Sequence, residues 1–169
     1  MRLVEVKGEN ESIITLPDGT KIEARKGIIV PVNTVVITGE DVEFVFEIIV
    51  CKEDRNKPKK GFLARLTVRP NTEIKFDELA IQASNVVTRV KINQGEARIK
   101  VTDERKDYAT DMKVATPNSS SAVSGTDFIV RTKATGDEIL VNEGSVEMNS
   151  TGSSKTYSVT TGKKLILKL

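Results

Sequence analysis

The feature that most constrains this chain is a two-residue alternation built from Val, Ile and Thr, broken at short intervals by Gly, Pro, Asn and Asp. β-Branched residues suit a pleated, half-buried surface, and turn residues this frequent leave no room for crossover helices. The pattern predicts an all-β chain of stacked short antiparallel strands, forming a roll, a sandwich or a solenoid-like stack, with little or no helix. The first hairpin is explicit. Ile13 to Leu16 alternates into Pro17-Asp18-Gly19, and Thr20 to Ala24 alternates out, with Gly19 supplying a positive φ. Further strands are predicted over Val32 to Ile37, Val42 to Val50, Phe62 to Val68, Glu73 to Phe76, Val86 to Ile92 and Ala97 to Val101. The last third continues with Met112 to Ala115, Phe128 to Thr132, Glu138 to Val141, Ser145 to Met148, Thr156 to Val159 and Lys164 to Leu169. Asp77 to Ser84 is the one stretch that could form a turn or two of helix.

A length of 169 residues suits one domain over the whole chain. Twenty-six basic residues against 24 acidic ones leave +2, too little to attract nucleic acid through bulk charge. There is no His and one Cys, so a thiolate metal cage, an internal disulfide and imidazole general-base chemistry are all excluded. No apolar run approaches the roughly 20 residues that span a bilayer, and the start, MRLVEVKGENE, lacks the core of a signal peptide. No membrane insertion by this chain and no cofactor are expected.

One segment interrupts the alternation. Residues 52–61 are polar, with five basic residues against two acidic ones, and read as a solvated basic loop between strands. Lys57, Lys59 and Lys60, extended by Arg65, form a candidate partner surface for an anionic group, but no aromatics interleave with them to stack bases. Cys51, at the loop's start, reads as a small half-buried side chain. The chain lacks a phosphate-binding loop, and a GxSxG serine would have no His to activate it. The adjacent pairs Glu40-Asp41, Asp103-Glu104 and Asp137-Glu138 point to opposite faces of a strand and are read as turn and solvent residues rather than a shared acid–base site. Three Asn-x-Ser/Thr sites, at Asn10, Asn118 and Asn149, exceed chance slightly and hint at export.

From Gly95 onward the text becomes more specific. Gly95-Glu96-Ala97 opens one strand, Thr116-Pro117 ends another, Gly125-Thr126-Asp127-Phe128-Ile129-Val130 follows, and then come Glu143-Gly144-Ser145-Val146 and Gly162-Lys163-Lys164. Upstream lie Gly27, Val35-Val36-Ile37-Thr38 and Arg69-Pro70-Asn71-Thr72. This order resembles the FecR domain, from about Gly27 to the end. It departs from the family's pattern at Lys60-Gly61-Phe62, where Asp-Gly-Ser is common. The resemblance implies an extracytoplasmic β module, in the periplasm or at the cell surface, that senses or binds a partner. The family's regulators also carry an anti-sigma segment and a transmembrane helix, neither of which is in this sequence, so anti-sigma activity is not implied.

Read physically, Gly95, Gly125, Gly144 and Gly162 each precede an alternating segment, as turn or bulge residues do. Phe128, Val130, Leu140 and Val146 are expected in the interior, and the Thr126 hydroxyl on local backbone. The sharper alternative is self-cleavage at Gly125-Thr126, which some family members are thought to undergo; no His is present to move the proton. The leading expectation is a non-enzymatic binding or sensing module that engages a protein or an envelope polymer through a strand edge or loop, with Lys163 to Leu169 as the candidate edge. The alternatives are a structural protein that self-assembles through strand edges into a filament or surface layer, and a carbohydrate-active enzyme with paired carboxylates.

Overall fold

A computed structural model of the chain describes all residues except 10–11, 53–58, 83–84, 103–108 and 169; the side chains of 50–62 also lie outside the described set. Fifteen strands and no helix are present among the described residues. They are β1 (Arg2–Lys7), β2 (Ile13–Thr15), β3 (Lys21–Glu23), β4 (Val35–Ile37), β5 (Glu43–Lys52), β6 (Lys59–Val68), β7 (Glu73–Gln82) and β8 (Asn85–Val101). The remainder are β9 (Ala109–Ala115), β10 (Ser119–Val123), β11 (Asp127–Lys133), β12 (Gly136–Glu143), β13 (Ser145–Ser150), β14 (Thr156–Thr160) and β15 (Lys164–Lys168).

The strands form two sheets that share β8. One runs β1-β5-β6-β8-β11-β12-β15, the other β3-β2-β4-β7-β8-β9-β10-β13-β14. Residues 85–94 of β8 pair with β7, and residues 95–101 pair with β6 and β11, so the strand passes from one sheet into the other at Gly95. The sequence reads as two strands there, split at Asn93-Gln94-Gly95. Instead Gly95, at φ +97°, bends a continuous strand. A register shift leaves Asn93 unpaired between Ile92, opposite Ile74, and Gln94, opposite Glu73.

The sheets close over one apolar core, because alternate residues of each strand face inward. Phe46 of β5 and Phe76 of β7 meet edge to face across the layers, with ring centroids 5.2 Å apart, and Phe44 packs on Phe46 at 6.1 Å. Burying rings of this size stabilises by about 1.5–3 kcal/mol each. The first hairpin takes its turn from Asp18, whose Oδ1 accepts the Thr20 N–H at 2.9 Å, and from Gly19 at φ +85°.

Several expectations are corrected. The pairing is not wholly antiparallel: β8 and β9 run parallel, from Asn85↔Ala109 to Lys91↔Ala115. The Asp77 to Ser84 stretch is strand as far as Gln82, because pairing with β8 outweighs the local helical pattern. The 52–61 loop is shorter than read, since Lys52 and residues 59–61 belong to the β5–β6 ladder. Leu140 is only half-buried; Ile139 and Val141, one residue to either side, fill the interior.

Candidate functional site

The residues singled out from the sequence fall into two groups at the two ends of β11, about 20 Å apart at 3.3–3.4 Å per residue. The first gathers three turns: Pro70-Asn71-Thr72, the Gln94-Gly95-Glu96 bend and Thr116-Pro117-Asn118. Thr72 Oγ1 accepts the Glu96 N–H at 3.0 Å and lies 3.2 Å from Glu96 O and Pro70 O, either of which can take its proton. Gly95 pairs with Thr132 of β11, and Thr132 Oγ1 donates to Asp137 Oδ1 at 2.7 Å. The same carboxylate accepts from Ser119 Oγ at 2.7 Å, from Asn118 Nδ2 at 3.2 Å and from Thr116 Oγ1. Hydrogen bonds and strand pairing together therefore tie the β6–β7 turn to the turn before β10.

Asp137 is 1% exposed, which corrects its reading as a solvent residue. Four uncharged donors satisfy it, as a buried carboxylate requires. Glu138 points to the opposite face, as expected of a strand neighbour. Glu40 and Asp41 are exposed in a turn, and the Asp103-Glu104 pair lies outside the described residues.

The turns enclose an open cleft of about 650 Å³ beside Gly95, lined by Asn71, Asn93, Gln94 and Asn118 among others. No carboxylate lines it among the described residues, so the two acids of a glycosidase are not supplied there. Nor do three His, Cys, Asp or Glu residues gather anywhere among the described residues to hold a metal.

The second group holds Gly125, Thr126, Phe128, Gly144 and Val146. Phe128 of β11 and Val146 of β13 are fully buried. The Gly125-Thr126 step packs on Gly144: a Cβ on Gly144 would lie 2.5 Å from Thr126 Cγ2 and 2.8 Å from Gly125 O. Thr126 is buried, and its hydroxyl has no hydrogen-bond partner among the described residues, contrary to the expectation that it bonds local backbone. Its carbonyl accepts the N–H of Val101, at the end of β8, at 2.8 Å.

Glu96 also anchors the outer face of the first sheet. Ion pairs there run Lys7–Glu43 (3.0 Å), Glu43–Arg69, Arg69–Glu96 (3.8 Å), Glu96–Arg131 (2.5 Å), Arg131–Glu138 (2.8 Å) and Glu138–Lys164 (3.0 Å), linking the strand β1 at one edge to β15 at the other. Each partly exposed pair is worth at most about 1 kcal/mol, and their continuity matters more than any one of them. Arg65, on the same face, pairs with Glu47 across β5 and β6 at 2.5 Å. Lys57 and the side chains of Lys59, Lys60 and Cys51 lie outside the described residues.

Arg98 forks onto Asp127, Nε to Oδ1 at 2.9 Å and Nη2 to Oδ2 at 2.5 Å, with Asn142 Nδ2 adding a third donor at 3.3 Å. The hydrogen bond from Arg98 holds the Asp127 carboxyl below its ordinary 3.8, against burial, which pushes it up. The unfolded chain therefore takes a proton before the folded one does. The pair's stabilisation is whole above about pH 4 and is lost as pH falls through the lowered folded value. Asp127→Asn is expected to cost about 1.5 kcal/mol at pH 7, or roughly 5 °C in melting temperature, and progressively less as pH falls below about 4. Melting curves of both proteins across that range check the sign.

These features define a two-sheet all-β module with a polar cleft at the bend of its shared strand. Residues 64–147 match the family model described as FecR protein, and over that stretch the chain belongs to the FecR family. Two crystal structures of a candidate anti-sigma factor from Parabacteroides distasonis ATCC 8503 share the fold, with TM-scores of 0.53 and 0.51 at 15% identity. In each case the alignment covers 79% of this chain and 54% of the other, so the chain spans about half the length of those proteins. No curated protein matches the chain. No helix among the described residues is long and apolar enough to cross a membrane.

The turns of the first group are legible in the sequence, but the cleft between them is not. Asn71, Asn93 and Gln94 read as turn residues, and only the bend of β8 brings them beside Asn118.

Proposed function

We propose that this chain is a non-enzymatic binding or sensing module of the cell envelope, acting outside the cytoplasm, that engages a partner protein through the free edge of β15. The FecR-family segment supports the class, and one observation carries the surface. Among the described residues β15 pairs only with β12, and Ile166 in its middle is 52% exposed between Lys164 and Lys168. A strand with one free side accepts another strand by backbone pairing, and flanking lysines discourage uncontrolled stacking.

The test is site-specific photocrosslinking in cells that make the protein. A crosslinker at Ile166 is expected to give a discrete protein adduct, while one at Ile29, 74% exposed and away from β15, gives none. The same adduct from both positions, or none from Ile166, would overturn the edge reading.

A second reading, self-assembly into a filament or surface layer, draws on the other edge strands: β3 and β14 each pair with one neighbour among the described residues. Light scattering on the purified chain separates the two. A monomer is expected for a sensing module and large species for a building block.

A further inference from the structure

The cleft at the bend of β8 has the size of a ligand site, about 650 Å³ against the roughly 300–1,000 Å³ of small-molecule pockets. Four of the described residues that line it carry carboxamides: Asn71, Asn93, Gln94 and Asn118. Asn71 and Gln94 have no side-chain partner among the described residues, so both amides are free to bind. Asn93 Nδ2 donates to Glu73 Oε1 at 2.7 Å and Asn118 Nδ2 to Asp137 Oδ1 at 3.2 Å. A carboxylate only accepts, so each of these amides is held one way round, with its oxygen and second N–H unspent. The bulge at Asn93 interrupts the regular pairing where Asn93 and Gln94 meet the cleft. Pro117 adds an apolar residue, and Lys133 is the only cation in the lining among the described residues.

From these features we infer that the cleft binds a short oligosaccharide, neutral or carrying one acidic group toward Lys133; this rests on reading the chain as a binding module rather than an enzyme. Each carboxamide sets a donor beside an acceptor, the pattern that matches neighbouring sugar hydroxyls, which both give and take protons. A phosphorylated ligand needs a cluster of cations, and the lining has one among the described residues. An extended peptide needs a longer free strand edge than the bend offers: β8 is paired on both sides from Asn85 to Lys91 and from Ala97 to Lys100, and only residues 92–96, where the strand changes sheets, have at most one partner strand. With no carboxylate in the lining among the described residues, the sugar is held and not cut. No aromatic ring stacks on it, so the affinity is weak, on the order of 1 mM.

The test is a ¹H–¹⁵N NMR titration of the full chain with chitotriose, maltotriose, cellotriose and a hyaluronan tetrasaccharide. At least one is expected to shift the side-chain amides of Asn71 and Gln94 and the backbone of Gly95 saturably. The double variant Asn71→Ala, Gln94→Ala should weaken that binding at least about tenfold while leaving the rest of the spectrum in place. No saturable shift at these signals up to about 50 mM of any probe overturns the proposal, as does unchanged affinity in the double variant. Shifts there with trialanine but with none of the sugars would also overturn it, in favour of a peptide site. The Ile166 crosslink is read independently, so failure of the cleft and failure of the edge are distinguishable.

Discussion

Gly95→Ala is expected to lower the melting temperature by roughly 10 °C, the equivalent of about 3–4 kcal/mol. Two costs add. The residue sits at φ +97°, which alanine rarely adopts, and the new methyl would overlap Thr72 Oγ1 while lying 2.6 Å from Thr72 Cα and 2.7 Å from Asn71 O. Two of those three neighbours are backbone and cannot rotate away. The double variant with Thr72→Ala removes the hydroxyl but keeps the backbone clash, so it should recover little of the loss. Far-UV circular dichroism melts of both variants decide the matter. A Gly95→Ala protein within about 2 °C of the wild type would mean that the bend can relax, and that its fixed geometry does not shape the cleft.

Asp137→Ala is expected to cost about 3 kcal/mol, read as a lower urea midpoint with an unchanged slope. The loss comes less from the bonds themselves than from what they leave behind: the hydroxyls of Thr116, Ser119 and Thr132 lose their shared acceptor in a buried place. Asn118 loses the partner that fixes its amide, so sugar binding should weaken in the same variant. Asp137→Asn keeps one acceptor oxygen and should cost about half as much. An Asp137→Ala protein as stable as the wild type would show that water satisfies these hydroxyls without the carboxylate.

The fold class is legible because alternation and turn chemistry act locally. The Pro17-Asp18-Gly19 hairpin and most strands need only their own residues. What tertiary pairing decides is harder to read. The Ser119–Val123 strand lacks an apolar run, yet Ser119, Ser121 and Val123 alternate inward, and pairing with β9 on one side and β13 on the other holds the strand in place. The parallel pairing of β8 with β9 joins segments that no tight turn connects, so nothing short-range announces it. Asp137 was readable in hindsight. It keeps step with Ile139 and Val141, and that inward phase is a better guide than the charge of the residue. Of the candidate cleft, the sequence shows the turns; the three-dimensional meeting of four carboxamides depends on a strand that changes sheets.

That strand has a kinetic consequence. Its 17 residues are the sole segment common to both layers among the described residues, and its partners come from distant parts of the chain, from Ala64 before it to Thr132 after it. Neither layer can be completed until long stretches have been brought together, and closing such loops costs entropy before any pairing repays it. Refolding from urea should accordingly be slow for a protein of this length, with both layers arriving in one step at the moment β8 is captured.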